Sequence, residues 1–198
     1  MILPMYIFGQ PVLRKVAEEV EEGTPKLKEL IQNMFETLRK SEGVGLAAPQ
    51  VGLSMRLFIV DLDCLSEDHP EFKGYLKTFI NPEIVEESEE QISYEEGCLS
   101  VPGIHENVKR PKKVLVNYLD EDFKEHEEWF DGFPARVIQH ENDHLDGKMF
   151  IDHLGPLRKQ MLKSKLVAMT KNKFSASYKC KPYIYSYICS CRYCRCRQ

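Results

Sequence analysis

No apolar run in this 198-residue chain comes near the ~20 residues that a membrane-spanning helix needs, and a run such as Leu57-Phe58-Ile59-Val60 is typical. A spanning helix is thereby excluded. The opening Met1-Ile2-Leu3-Pro4-Met5-Tyr6 lacks a basic segment and a small-residue cleavage site. That argues against a secretory signal and makes the cytoplasm the expected location. Cysteine is scarce in the body of the chain: of seven, only Cys64 and Cys98 precede residue 180. An odd count, with those two far apart, is a poor basis for a disulfide framework, so a body cysteine is judged as a ligand or nucleophile. No repeat of 20 to 50 residues is visible, which excludes a solenoid. Acid is missing from the C-terminal end. From Asn172 onward there are six Lys/Arg and no Asp or Glu, so residues 1–171 carry 21 − 31 = −10 of a net −4. A body of that charge does not attract nucleic acid through its bulk field, and an anionic partner must be met by the basic end.

What is present is ordinary for a globular protein, with 29% charged and 42% hydrophobic residues and a length that favours one domain. Residues 24–43 predict a helix, with Thr24 as cap, Pro25 at the first position, and Gly43 as the stop. Leu27, Leu30, Ile31, Met34, Phe35 and Leu38 recur there at spacings of three and four. Strands are expected over 56–62, 78–85, 91–94, 114–119 and 127–130, where β-branched and aromatic residues alternate with polar ones. A second helix opens at Pro134 and stops at Gly147; a third, over 155–171, aligns Leu157, Met161, Leu162, Leu166 and Met169 on one stripe. Strands in the middle and helices at the ends predict an α+β fold, mostly antiparallel, around the second helix. After Lys173 the composition turns to Tyr, Cys, Ser and Arg, which places a boundary near Phe174 between a domain of residues 1–173 and an extension, 174–198, expected to be flexible.

The sharpest chemical signal is Gln139-His140-Glu141-Asn142-Asp143-His144 on that second helix. Four residues make just over one turn, so His140 and His144 stack on one face and can share one metal ion. Glu141 lies about 100° round the helix, beside the ion, where a general base acts on water. The bland alternative is two surface histidines on an acidic helix. A catalytic site typically needs a third protein ligand. One protease solution takes a glutamate well downstream, but the last acid here is Asp152; another needs a third histidine where Phe150 stands. The ligand must then come from upstream, and Glu96-Gly97-Cys98-Leu99-Ser100 offers a thiolate on Cys98 and the next backbone N–H on Leu99. Taken alone, Cys98 would read as a buried, inert side chain. A third stretch, Gly43-Val44-Gly45-Leu46-Ala47-Ala48-Pro49-Gln50, lets a backbone approach closely and brings the Gln50 amide as a donor for a developing oxyanion. Alone it is an ordinary helix-ending loop.

Together the three stretches closely resemble the signatures of peptide deformylase in order and spacing, over roughly residues 2–170. The resemblance implies a metal-dependent hydrolase that removes the formyl group from the N-terminal formyl-methionine of new bacterial proteins. It implies Cys98, His140 and His144 as ligands, Glu141 as acid and base, and Gln50 with the Leu99 N–H as the oxyanion site. Divalent affinity order alone favours zinc at such a site. The resemblance instead implies ferrous iron, replaceable by nickel, cobalt or zinc. Val44 and Val137 are candidates for the wall of a methionine pocket, Gly45 for pairing with the substrate backbone, and Glu96 for orienting a ligating histidine or Arg110. His105 stands where many relatives carry Arg, and its role is left open.

Two further readings concern the C-terminal end. The third helix is similar to one with which bacterial deformylases dock at the ribosomal tunnel exit, where its basic side chains would meet rRNA; the plain alternative is an amphipathic helix packed on the sheet. The run Cys189-Ser190-Cys191-Arg192-Tyr193-Cys194-Arg195-Cys196 departs from the usual family ending and lacks the loop that separates paired zinc ligands. Soft-metal binding, RNA contact and an extension without dedicated function all stand as readings of it. A zinc peptidase on another fold, and a binding module built on this tail, remain the alternatives to the hydrolase.

Overall fold

The computed structural model of the chain describes residues 1–183, so the Cys189–Cys196 run lies outside the described residues. Its largest sheet is antiparallel and five-stranded: β2 (Gly45–Ala47), β3 (Leu57–Asp61), β4 (Leu76–Glu87), β7 (Lys113–Leu119) and β8 (Glu125–Asp131), in that spatial order. A separate antiparallel hairpin pairs β5 (Gln91–Gly97) with β6 (His105–Pro111), and β1 (Met5–Tyr6) pairs in parallel with β9 (Cys180–Lys181). Three α-helices complete the described fold: α1 (Leu27–Lys40), α2 (Gly132–Leu145) and α3 (Pro156–Thr170). It is a mixed α/β architecture with mostly antiparallel sheets, and no helix among the described residues is long and apolar enough to cross a membrane.

Alternation along β3 divides the core. Leu57 and Ile59 join one cluster with Ile31, Met34 and Leu38 of α1; Phe58 and Val60 join another with Ala135, Val137 and Ile138 of α2. Both faces of this strand are therefore covered, and all five of its residues are buried. The α2 helix packs on β2, β3, β7 and β8, and its Glu141 lies against Gly45 of the edge strand β2.

The five expected strands are all present, each with slightly different ends, but β6 was hidden. Its inward positions include Glu106 and Arg110 beside Val108, so apolar alternation is masked by buried charge. The helix ends also differ. Thr24 does not cap α1: its hydroxyl donates to the Glu21 carbonyl, and the helix begins at Leu27 after Lys26 takes a φ of 61°. Gly43 is not the left-handed stop either, since Glu42 takes that conformation with φ 56°. What glycine gives at 43 is closeness, since a Cβ there would stand 2.8 Å from Leu38 Cδ1 and 3.1 Å from Leu99 Cδ1 and would make those leucines shift. The α2 helix starts two residues before Pro134.

The stripe expected on α3 does not pack as a unit. Leu162 and Met169 are buried, whereas Leu157 is 75% and Met161 60% exposed. Nor do contacts end at the compositional boundary near Phe174. Phe174, Tyr178 and Cys180 pack on the core, and the Met5 N–H donates to the Lys179 carbonyl at 2.8 Å.

Candidate metal centre

Ten residues of α2 are buried, and six of them are polar: Arg136, Gln139, His140, Glu141, Asp143 and His144. A helix that buries so many polar groups is stable only if each finds a partner or a function. His140 and His144, one turn apart, place their rings 5.2 Å apart and edge to face. Cys98 follows the end of β5, and its Sγ lies 3.2 Å from His144 Nε2. One ligand atom from each of these three residues lies within 4.8 Å of the others. Phe150, at the place where a third histidine would be sought, stacks instead on the His140 ring with centroids 6.0 Å apart.

Glu96 organises the surroundings. Its carboxylate accepts from His140 Nδ1 at 2.8 Å, from Arg110 at 2.7 and 3.0 Å, and from Arg136 at 2.6 Å. Holding Nδ1 leaves Nε2 of His140 to the cluster, the usual arrangement behind a ligating histidine. Burial opposes the charge on Glu96, but His140 and Arg110 outweigh it and hold the carboxyl far below its ordinary range. Burial likewise pushes the Cys98 thiol up, yet the His144 and His140 imidazoles bring it down to about 5, so the thiolate is the favoured form.

The remaining predicted residues converge on the same place. Glu141 is 3% exposed, and burial raises its carboxyl to about 7 although His140 and His144 pull it down. Its Oε2 has no hydrogen-bond partner, an unusual state for a buried carboxylate. Gln50 sits in a short 3-10 turn, Ala48–Val51, with its side-chain oxygen accepting from the Ala47 N–H at 2.7 Å. That bond directs its Nε2 towards Cys98 Sγ, 3.5 Å away. Gly45 lies so close that a Cβ on it would stand 2.5 Å from Glu141 Oε1. Val44, Gly45, Leu99, His105 and Val137 line, with these groups, a cavity of about 480 Å³.

Known proteins are similar to this chain over most of its length. A model of the polypeptide deformylase family matches residues 2–160. The peptide deformylase of Cytophaga hutchinsonii is 46% identical over 181 residues, covering 91% of this chain and 97% of that protein. The chain belongs to the polypeptide deformylase family.

Solved deformylase structures agree in fold. One from Legionella pneumophila has a TM-score of 0.76 at 39% identity, covering 87% of this chain and 98% of that one. Another from Plasmodium falciparum also has a TM-score of 0.76, at 36% identity, covering 86% and 99%. Deformylases are metalloenzymes, and the donor set here fits a metal: one thiolate and two imidazoles converge, and one imidazole is oriented from behind by a carboxylate.

Asp143, His153, Arg136 and Tyr178, to which no role was assigned from sequence, surround this cluster. Asp143 accepts from Arg110 at 2.7 Å and pairs with His153 at 2.7 Å, so Glu96, Arg110 and Asp143 form one buried network. Arg136 donates to Glu96 and to the Val108 and Ile92 carbonyls. An arginine two turns before the last histidine on a helix with an apolar face was the available signal. Tyr178, whose hydroxyl donates to the Leu99 carbonyl at 2.7 Å, offered none.

Proposed function

We propose that this chain removes the formyl group from the N-terminal formyl-methionine of new polypeptides, releasing formate, with one divalent ion held by Cys98, His140 and His144. The observation that carries this reading is the convergence of those three ligand atoms beside the cavity that Cys98, His140 and Glu141 line, where one Glu141 oxygen has no partner. When bound, a divalent cation supplies Lewis-acid polarisation and lowers the pKa of a water towards ~7. Ferrous iron is the ion proposed, with nickel, cobalt or zinc able to replace it, and the thiolate ligand supports a soft or borderline metal.

The chain's own residues do the rest. Glu141 accepts a proton from water as the water oxygen attacks the formyl carbon, and the unpartnered Oε2 of Glu141 is suited to that transfer. The Gln50 amide and the Leu99 N–H donate to the oxyanion that forms, so they bind the transition state more strongly than the carbonyl. Glu141 then passes its proton to the leaving amine as the C–N bond breaks. Val44 and Val137, both lining the cavity, would hold the methionine side chain. β2 is an edge strand, so Gly45 can pair with the substrate backbone as an added strand does. The helix that carries His140 and His144 is in this reading the centre of the fold, which its packing on four strands supports.

Such a reaction belongs in the cytoplasm, where new chains emerge, and the basic α3 would meet rRNA at the ribosomal tunnel exit. Arg158 is already tied to Glu106 and Lys159 to the Asp152 carbonyl, so Lys163 and Lys165 are the cations offered to phosphate. The decisive experiment measures formate release from formyl-Met-Ala-Ser by anaerobically purified, metal-loaded protein beside a Glu141→Ala variant. Turnover that the variant loses while keeping its metal is expected. Absence of formate from metal-loaded wild type would sink the reading.

A further inference from the structure

The chain after α3 returns to the cavity. Residues 174–180 alternate, with Phe174, Ala176, Tyr178 and Cys180 turned inward and Ser175, Ser177 and Lys179 exposed. That period of two is the mark of extended chain lying on a surface. Several bonds hold it there. The β1–β9 pairing runs parallel, the Met5 N–H meets the Lys179 carbonyl, and Gln10 Nε2 reaches the Lys181 and Pro182 carbonyls at 3.2 and 3.3 Å. Ser175, Ala176, Ser177 and Tyr178 line the same cavity as Cys98, Gln50 and Glu141. Tyr178 is partly buried against the core, and its hydroxyl donates to the Leu99 carbonyl at 2.7 Å. Burial, with Cys180 and Cys98 nearby, pushes this phenol up, so it stays protonated and keeps donating.

Leu99 is held on both sides: the Cys98 carbonyl, on the peptide that carries the Leu99 N–H, accepts from the Val101 N–H at 2.9 Å, and Tyr178 fixes the peptide that follows. Leu99 follows Cys98, whose Sγ accepts from the Ser100 N–H at 3.4 Å, and the Ser100 carbonyl is tied to the Phe8 N–H at 2.8 Å. The Leu99 carbonyl between those anchors is the group that Tyr178 takes. An oxyanion donor is effective only if its direction is set before the charge develops, and small misplacements cost large factors in rate.

We propose that Tyr178 is a positioning residue, which sets the Leu99 backbone so that its N–H meets the oxyanion, and that the β1–β9 strap holds Tyr178 in place. This inference rests on the deformylase reading of the site. Tyr178→Phe in the full chain removes the hydroxyl alone. The expected result with formyl-Met-Ala-Ser is a kcat lowered about 5- to 10-fold, a KM within about twofold, and unchanged bound metal. A merely structural role would lower the melting temperature without that split. Gln10→Ala, which loosens the strap from outside the cavity, is expected to lower kcat about two- to threefold. Because both act through one contact, the double variant is expected to be no slower than Tyr178→Phe. Wild-type kcat in Tyr178→Phe, or losses that multiply in the double variant, would overturn the proposal. A wild type that releases no formate would instead overturn the reading beneath it.

Discussion

Replacing Glu96 by Gln keeps the shape of the side chain and removes one charge from a buried set that is now balanced. Glu96 and Asp143 face Arg110 and Arg136, all four nine-tenths buried or nearly so. The substituted amide would leave two guanidiniums against one carboxylate and turn its NH₂ towards groups that already donate. Removing one partner of a buried ion pair typically costs ~3–5 kcal/mol. For a chain of this size each kcal/mol moves the melting temperature by ~2–4 °C, so the expected fall is about 6–20 °C. The same substitution releases His140 Nδ1, and loss of such a partner typically weakens metal binding ~10- to 100-fold. Thermal unfolding of metal-loaded and chelated protein measures the first effect, and competition with a chromophoric chelator the second. The folded state holds the Glu96 carboxyl below its ordinary range, so its contribution is intact above pH ~4.3 and is lost as pH falls below that. Glu96→Gln is therefore expected to flatten the acid limb of the stability curve. Lys28→Ala, which removes the exposed pair with Asp122, serves as a control and is expected to change nothing measurable. A Glu96→Gln protein that melts within about 2 °C of wild type and binds metal within about twofold would refute the reasoning.

Gly45→Ala places a methyl 2.5 Å from Glu141 Oε1 and must displace that carboxylate, so kcat is expected to fall ~10²-fold with metal content unchanged. Steady-state kinetics with elemental analysis checks it, and wild-type kcat would show that Glu141 is not where the proton is handled. Treatment with a strong chelator is expected to abolish formate release and re-addition of ferrous or nickel ion to restore it; activity that survives complete removal would contradict the ligand assignment. Leu162→Ala empties a buried site and is expected to cost roughly 2–4 kcal/mol in denaturant titration, whereas Leu157→Ala, 75% exposed, should stay within about 0.5 kcal/mol. Equal effects at the two positions would mean that α3 packs through the whole stripe after all.

What could be read from sequence was decided by how each residue contributes. Residue types that carry chemistry announce themselves: two histidines at helical spacing, a cysteine beside a glycine, a glutamine after small residues. α1 was visible because its buried face is largely apolar, with Leu27, Ile31, Met34 and Leu38 at helical spacing, whereas α2, which buries six polar side chains, was marked by Pro134 near its start and Gly147 after its end. β6 was not visible, because Glu106 and Arg110 point inward and pair there with Arg158 and with Glu96 and Asp143. The α3 stripe misled for the converse reason, since apolar spacing states which residues share a face without stating that anything covers it.

The anchors of the site were hidden for a deeper reason. Gln50 is aimed by the backbone N–H of Ala47, and Leu99 is held through its backbone carbonyl. Every residue but proline carries both groups, so no side-chain pattern marks the position that supplies them. Their partners are equally anonymous: a tyrosine in a Tyr-rich stretch is chosen only by the path of the chain, here the parallel pairing of residues 180–181 with residues 5–6. Sequence spacing can thus nominate the atoms that react, but the atoms that hold them still are selected by topology. It follows that substitutions at Gln10 or Tyr178, far in sequence from the three signatures, should register in kcat before they register in the fold.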